Sequence, residues 1–372
     1  MGYTKTKAPL LTKVILLCLF MNKVNCVCDS FDECTSVTLS ATHTGVNISS
    51  SGNFSVTNIT YANGTHTSTE QISGSSIIDL QPWTSYSVDL NNGTDICCIN
   101  FTTGPHKVPL ENITLNNLQS TNSIEVKWIA PPDIVQMYIV SLHGDFTKTK
   151  TISTVQPVIF QDLLPGREYK ITVTTISGPF NETSLPVTEA TYPAQPGTLI
   201  LMDARRNSIN LSWDPPLNMS GLTLIYNITY SSLQGNWIIT NNTEYANIEN
   251  LTSGTNYTIS VVTVGVRNYT SPPLLTSSYT RPSQVSSQDI TLNNRKSPNN
   301  IEVNWSAPPG LVEWYDVYLQ GAVTQNKTTS SIKPIKFTDL LPGREYSITI
   351  TTISGPFNET SAVVTEATCK LS

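Results

Sequence analysis

Apolar and polar residues alternate along many short stretches of this chain. Residues 123–128 read Ser-Ile-Glu-Val-Lys-Trp, and residues 169–174 read Tyr-Lys-Ile-Thr-Val-Thr. In a β-strand such alternation places every second side chain on the same face. Pro131 and Pro132 end the first stretch, because proline is excluded from central strands. Helical periodicity is weak, and several short strands between turns predict an all-β chain of β-sandwiches.

A long internal repeat divides the chain. Residues 163–191 and 340–368 agree at 25 of 29 positions, at an offset of 177 residues and without a gap. A Leu-x5-Tyr pattern occurs four times, and its tyrosines are separated by 83, 88 and 89 residues. Self-similarity at a fixed period indicates tandem domains of one type. We place four domains at residues 27–106, 107–193, 194–281 and 282–369.

Three of the four copies share a further motif. A tryptophan in an early strand is followed by Pro-Pro, and the tyrosine comes 41–44 residues after the tryptophan. This motif resembles the fibronectin type III domain, an immunoglobulin-like β-sandwich. The resemblance implies that the tryptophan lies in the core and that the tyrosine forms a corner, with its hydroxyl bonded to backbone upstream. The expected core and corner residues are Trp128, Trp213, Trp305, Tyr86, Tyr169, Tyr257 and Tyr346.

The first copy departs from this pattern, since it has no tryptophan near Val46 and Ile48. It carries most of the seven cysteines instead. The Cys-x2-Cys spacing of zinc sites is absent, and in an exported chain disulfides are favoured. We expect a disulfide that joins Cys28 or Cys34 to Cys97 or Cys98, and an unpaired Cys369.

The N-terminus indicates export. Lys5 and Lys7 precede a short apolar segment at residues 14–21, which is typical of a signal peptide. We assign residues 1–26 to that signal. No later stretch reaches the roughly 20 apolar residues that a membrane span needs. The protein is therefore expected to be secreted, or to lie on the extracellular side of the plasma membrane.

Eighteen Asn-x-Ser/Thr acceptors for N-linked glycans support this location. Six, two, seven and three of them fall in domains 1 to 4. Alternation with apolar neighbours predicts that Asn210, Asn227 and Asn304 point outward. The acceptors are Asn47, Asn53, Asn58, Asn63, Asn92, Asn100, Asn112, Asn181, Asn210, Asn218, Asn227, Asn241, Asn250, Asn256, Asn268, Asn304, Asn326 and Asn358.

A narrower resemblance is to the ectodomains of receptor-type protein-tyrosine phosphatases, in particular the density-enhanced and vascular-endothelial subgroup. It is carried by Leu-Pro-Gly-Arg-Glu-Tyr, by Ile-Thr-Val-Thr-Thr-Ile-Ser-Gly and by residues 279–283, Tyr-Thr-Arg-Pro-Ser. Those receptors catalyse dephosphorylation in a cytoplasmic domain that uses a Cys-x5-Arg loop. No cysteine of this chain is followed six positions later by arginine. The resemblance therefore implies an ectodomain without catalytic residues.

No other chemistry is predicted. The four histidines are scattered, no glycine-rich phosphate loop occurs, and no metal or cofactor site is expected. The net charge is -6 and there is no Lys/Arg block, which excludes the electrostatic pattern of a nucleic-acid binder.

The leading hypothesis is an adhesion or ligand-binding module whose partner is an extracellular or cell-surface protein. One alternative is the extracellular part of a receptor-type tyrosine phosphatase whose span and catalytic domain lie beyond this chain. Another is a cytokine-receptor-like binder, although the Trp-Ser-x-Trp-Ser signature of that class is missing. Because domain 2 has few acceptors, we expect a partner to dock there.

Overall fold

The computed structural model describes residues 37–370, except for 43, 51–54, 62–71, 74–75 and 92–95. In this part of the chain every paired strand is antiparallel, and the few helical turns are three residues long. The predicted signal peptide at residues 1–26 lies outside the described residues. Four successive groups of strands are present, which we number domains 1 to 4.

Each group of strands forms two facing sheets. In domain 1 the sheet orders are β1-β2-β5-β4 and β3-β6-β7, and in domain 2 they are β12-β9-β8 and β11-β10-β13-β14, with β15 also paired to β13. The strands are β1 (Val37–Ala41), β2 (Gly45–Ser50), β3 (Ser55–Tyr61), β4 (Ile72–Ser73), β5 (Ser76–Ile78), β6 (Ser85–Asn91), β7 (Ile96–Thr102), β8 (Ile113–Asn116), β9 (Ile124–Trp128), β10 (Met137–His143), β11 (Thr147–Ile152), β12 (Val158–Phe160), β13 (Glu168–Ser177), β14 (Phe180–Thr183) and β15 (Val187–Ala190).

Domains 3 and 4 repeat the arrangement. Their sheet orders are β16-β17-β20 and β19-β18-β21-β22, then β23-β24-β27 and β26-β25-β28-β29, with β30 also paired to β28. The strands are β16 (Leu199–Ala204), β17 (Ile209–Trp213), β18 (Ile225–Ser232), β19 (Gly235–Asn241), β20 (Tyr245–Ile248), β21 (Asn256–Val264), β22 (Leu274–Tyr279), β23 (Ile290–Asn293), β24 (Ile301–Trp305), β25 (Trp314–Gln320), β26 (Gln325–Thr329), β27 (Ile335–Phe337), β28 (Glu345–Ser354), β29 (Phe357–Thr360) and β30 (Val364–Ala367).

The described residues form two compact units. The first comprises the described residues up to 118, together with 123–161 and 168–189. The second comprises 119–122, 162–167 and the described residues from 190 onward. The second unit thus contains domains 3 and 4 and two loops at the end of domain 2.

The core of each of domains 2 to 4 is organised by one tryptophan and one tyrosine from opposite sheets. The ring centroids lie 5.3 Å apart in Trp128–Tyr138, 5.2 Å in Trp213–Tyr226 and 5.4 Å in Trp305–Tyr315. All six side chains are buried. The three indole N–H groups have no hydrogen-bond acceptor, so these pairs are held by packing.

Domain 1 fills its core without a tryptophan. Val46, Ile77, Val88 and Leu90 are buried together with Tyr86, which stacks on Phe101 at 5.6 Å. The smaller aliphatic residues occupy the space that the tryptophan takes in the other domains, and the aromatic contact comes from within one sheet, since β6 pairs with β7.

A corner loop precedes the strand that carries the repeated tyrosine in every domain. Its backbone N–H donates to the tyrosine hydroxyl from Gln81 to Tyr86 (2.8 Å), from Thr252 to Tyr257 (3.0 Å) and from Leu341 to Tyr346 (2.9 Å). The hydroxyl therefore satisfies a backbone donor that the strands leave unpaired. Tyr169 is also fully buried.

A threonine at the end of the last strand holds the same loop from the other side. The hydroxyls of Thr103, Thr191, Thr280 and Thr368 donate to a corner-loop carbonyl at 2.6, 2.7, 2.6 and 2.6 Å. Each also accepts a backbone N–H of that loop. All four are buried. The corner is thus the same in domain 1 as in the others, although domain 1 lacks the tryptophan.

Two lysines protect an exposed strand edge. Lys150 donates to the carbonyl of Ile159 at 2.7 Å, and Lys327 donates to the carbonyl of Lys336 at 2.8 Å. Each ammonium also lies over a core phenylalanine ring, at 5.9 and 5.5 Å from its centroid. Because open strand edges invite pairing with other chains, these contacts act as edge protection.

We predict that Trp305→Ala unfolds domain 4 at a markedly lower temperature, because truncating a buried tryptophan costs roughly 3–5 kcal/mol. Trp305 is 6% exposed and Trp314, in the same domain, is 49% exposed. Trp314→Ala is therefore the matched control and should shift the transition little. Calorimetry of the two variants checks this, and equal shifts would show that burial of Trp305 is not what holds the domain.

We also predict that Tyr257→Phe destabilises domain 3 by about 1–2 kcal/mol while the fold is kept, because the Thr252 N–H loses its acceptor. Tyr245→Phe is the control, since Tyr245 is 46% exposed. Denaturant unfolding measures both. A Tyr257→Phe protein as stable as the control would refute a role for the hydroxyl.

Candidate interaction surfaces

The described residues contain no group of His, Cys, Asp and Glu side chains that could hold a metal ion. Of the histidines, His106 has a close acidic partner: its backbone N–H donates to Asp133 at 2.7 Å and its Nδ1 lies 2.5 Å from the same oxygen. Its carbonyl accepts the Thr175 hydroxyl at 2.9 Å. This cluster fastens the segment before domain 2 to that domain, and nothing in it resembles a nucleophile with a base.

The cysteines of domain 1 are only partly described. Cys98 in β7 is disulfide-bonded, and its partner is not among the side chains that the structure describes. Cys28 and Cys34 lie outside the described residues, as does the side chain of Cys97, so the predicted pairing stays a prediction. Cys369 is free and half-buried.

Most of the described acceptors are exposed. Half-buried acceptor side chains also occur, as do acceptors outside the described side chains. The exposed ones are Asn47, Asn100, Asn181, Asn218, Asn250, Asn256, Asn268, Asn326 and Asn358; the half-buried ones are Asn112, Asn210, Asn227, Asn241 and Asn304; and those outside the description are Asn53, Asn58, Asn63 and Asn92.

The three acceptors expected to point outward do alternate with buried neighbours, but each is half-buried. The Oδ1 of Asn210 is buried and has no partner. Asn227 accepts the Thr240 hydroxyl at 2.9 Å across the β18–β19 pair. Neighbouring strands shade these side chains, and strand alternation alone does not reveal that.

Asn210 lines a polar cleft of about 320 Å³ on domain 3. Asparagine, serine, one arginine and one glutamate surround it, so it suits water or a polar group rather than an apolar ligand. The lining residues are Arg205, Asn207, Ser208, Asn210, Asn247, Glu249 and Asn250.

Domain 2 presents a broad outer face on β10, β11 and β13. Its register places Ser141 opposite both Thr149 and Thr172, and Ile139 opposite both Thr151 and Thr174. These side chains are exposed or half-buried, and most carry a hydroxyl. We call this surface the threonine face. It can form many weak hydrogen bonds, and it has no acceptor asparagine within β10, β11 or β13.

The other sheet of domain 2 offers a smaller outer face on β8, β9 and β12. Lys127 pairs there with Glu125 at 2.7 Å, and Ile129 at the end of β9 is exposed. Asn112 precedes β8, and Asn181 lies in the short β14 hairpin rather than in an open loop. Both faces are thus free of acceptors along their strands.

The corresponding faces of the other domains carry acceptors. In domain 4 Asn326 lies in β26 at the repeat position of Thr149, and in domain 3 Asn227 and Asn241 lie in β18 and β19. In domain 1 Asn58 and Asn100 lie in β3 and β7. The two copies of the long repeat therefore differ most where a partner or a glycan would sit.

No helix in the part of the chain that the structure describes has the length and hydropathy needed to cross a bilayer.

Comparison with known proteins identifies the domains. The fibronectin type III domain model matches residues 108–190, 194–276 and 283–367. Receptor-type tyrosine-protein phosphatase V of Rattus norvegicus is 22% identical over 306 residues, which cover 78% of this chain and 18% of that protein. Phosphatidylinositol phosphatase PTPRQ of Homo sapiens is 26% identical over 308 residues, 76% of this chain and 13% of that protein.

Tenascin-R of Mus musculus is 26% identical over 195 residues, which cover 49% of this chain and 14% of that protein. Among solved structures, a two-domain fibronectin type III segment of chicken tenascin covers 46% of this chain and 97% of its own, with 23% identity and a TM-score of 0.37. The chain spans less than a fifth of the length of these curated relatives.

The domain matches cover more than half of the chain, and the β-sandwiches with their tyrosine corners agree with them. The chain therefore belongs to the fibronectin type III family, and it is similar to the repeat regions of receptor-type phosphatases and of tenascin-R.

Proposed function

We propose that this chain is a glycosylated extracellular binding module of the receptor-phosphatase type, and that domain 2 holds its binding surface. The domain boundaries of the proposal are 27–106, 107–193, 194–281 and 282–369, preceded by a signal peptide. The partner is an extracellular or cell-surface protein. Fibronectin type III domains supply binding surfaces rather than catalytic groups, so dephosphorylation is not proposed for this chain.

The observation that carries the proposal is the threonine face of domain 2. A specific interface buries about 800 Å² on each partner, which needs most of one face of a small sandwich. A glycan on a strand covers much of such an area. Acceptors interrupt the equivalent faces of domains 1, 3 and 4, and the threonine face is uninterrupted.

We choose the threonine face over the smaller face on β8, β9 and β12 for two reasons. It belongs to the larger sheet of the domain, with five strands against three. The charged pair on the smaller face, Glu125–Lys127, is already satisfied internally. A solvent-exposed pair of this kind contributes little to binding.

The long repeat supplies a clean test. Thr149→Asn creates an acceptor with Thr151, and Asn326-Lys-Thr occurs naturally at the same position of domain 4. The substitution is therefore compatible with the strand. We predict that a glycan there weakens adhesion of cells to the immobilised full chain by about tenfold or more, which corresponds to about 1.4 kcal/mol or more.

Two variants serve as controls. Asn326→Thr is the reciprocal exchange in domain 4 and should leave adhesion unchanged. Lys127→Asn with Ile129→Thr adds an acceptor on the smaller face of domain 2 and should also leave it unchanged. Occupancy is read from the electrophoretic shift before and after glycan removal. Full adhesion by a folded, glycosylated Thr149→Asn protein would contradict the proposal for the threonine face.

A further inference from the structure

The same seven residues, Leu-Leu-Pro-Gly-Arg-Glu-Tyr, occur in two different environments. They form the corner loop of domain 2 at 163–169 and that of domain 4 at 340–346. In domain 2 Pro165 and Gly166 are buried, whereas in domain 4 Gly343 and Arg344 are exposed. Because the sequence is identical, the difference in burial comes from what lies against the loop.

Domain 3 covers the first copy. A Cβ at Gly166 would lie 2.5 Å from Cε of Met219, in the loop between β17 and β18. Met219 is buried, and its sulfur lies 3.3 Å from the backbone nitrogen of Ala194. Arg167 donates to the carbonyl of Ser220 at 2.7 Å. Glycine is needed at the corner both for its positive φ of 65° and for this close approach.

A tyrosine stack completes this junction. Tyr192 follows domain 2 and stacks on Tyr269 of domain 3, with centroids 4.6 Å apart and an angle of 2°. The backbone N–H of Tyr192 donates to Ser120, and in domain 4 the N–H of Cys369 donates to Ser297 in the same way. Cys369 therefore occupies the position of Tyr192.

The corner loop of domain 3 meets domain 4 by the same rule. The Leu311 N–H donates to the Ser253 carbonyl at 2.9 Å, and the Ser253 hydroxyl donates to the Pro309 carbonyl at 2.8 Å. A Cβ at Gly254 would lie 1.9 Å from the Leu311 carbonyl oxygen. The corner thus again receives the loop between the second and third strands of the following domain.

The long hairpin of domain 4 adds to that contact. Phe357 packs against the core of domain 3 and lies under the Arg281 guanidinium, 4.8 Å from its ring centroid. Tyr279 donates to Glu313 at 3.0 Å, and this bond raises the pKa of Tyr279. In the first unit, the domain 1 corner residue Trp83 lies 3.5 Å from the Cβ position of Gly178 in the matching turn of domain 2.

Three corner loops are therefore seats for a following domain, and the fourth is uncovered. The nearest side chain to the Cβ position of Gly343 is Lys370 of its own domain, at 3.0 Å. Leu341 is 47% exposed beside it. We propose that the corner face of domain 4, formed by Leu341, Gly343, Arg344 and Cys369, docks a fibronectin type III domain whose second loop presents a methionine and a free carbonyl, as domain 3 does.

This proposal is independent of the threonine face, which lies on a different domain. Its test extends the full chain: residues 193–281 are added directly after Cys369, so that a second copy of domain 3 follows domain 4. Alkylation of Cys369, followed by peptide mass spectrometry, reports whether the face is covered. We expect the extension to slow alkylation about tenfold or more, since a tethered domain has a millimolar effective concentration.

The control is the same extension with Met219→Asp and Leu222→Asp in the added copy alone. These loop substitutions remove the apolar contacts of the seat, and alkylation should return to the rate of the original chain. Calorimetry verifies that the added copy is folded in both proteins. Equal rates in the original chain, the extension and the control would overturn the proposal.

A second overturning outcome concerns Cys369 itself. If alkylation of the original chain slows as its concentration rises, or if disulfide-linked dimers through Cys369 form, the face associates with a second copy of this chain instead. In an intact chain the domain 3 loop is already engaged by domain 2, so such a dimer would use different contacts.

Discussion

The corner loop is the constraint on which the rest of each domain depends. A loop that turns between two sheets leaves backbone groups without strand partners, and a buried unpaired group costs about 1–3 kcal/mol. The tyrosine hydroxyl accepts one N–H, and the threonine at the end of the last strand satisfies a carbonyl and a second N–H. With the corner fixed, the tyrosine-bearing strand enters the core in one register, and its alternate residues are buried.

Much of this was predictable from the sequence because it is local or repeated. The strands around Trp128 and Tyr169 follow from alternation, and the tandem organisation follows from the offset of 177 residues. The sequence did not reveal the tyrosines that face the tryptophans, Tyr138, Tyr226 and Tyr315, because their contact crosses from one sheet to the other. Burial raises the pKa of Tyr226, and its hydroxyl donates to Glu244 at 3.1 Å.

The candidate surfaces were predictable only in part. Counting acceptors pointed to domain 2, but the outer face has to be assembled from the register of three strands before Thr149, Ser141 and Thr172 are seen to adjoin. The corner seat escaped sequence analysis altogether. Identical letters at 163–169 and 340–346 carry no information about burial, since a neighbouring domain supplies it.

The threonine clamp has a mechanical consequence. When a chain of domains is pulled by its ends, the force leaves each sandwich through its last strand, and Thr280 and Thr368 stand where β22 and β30 end. Their hydroxyls are tied to the corner loop by bonds of 2.6 Å. A pulling force must therefore break the side-chain tether before the last strand can peel away, so the residue that completes the fold also sets the first barrier to its extension.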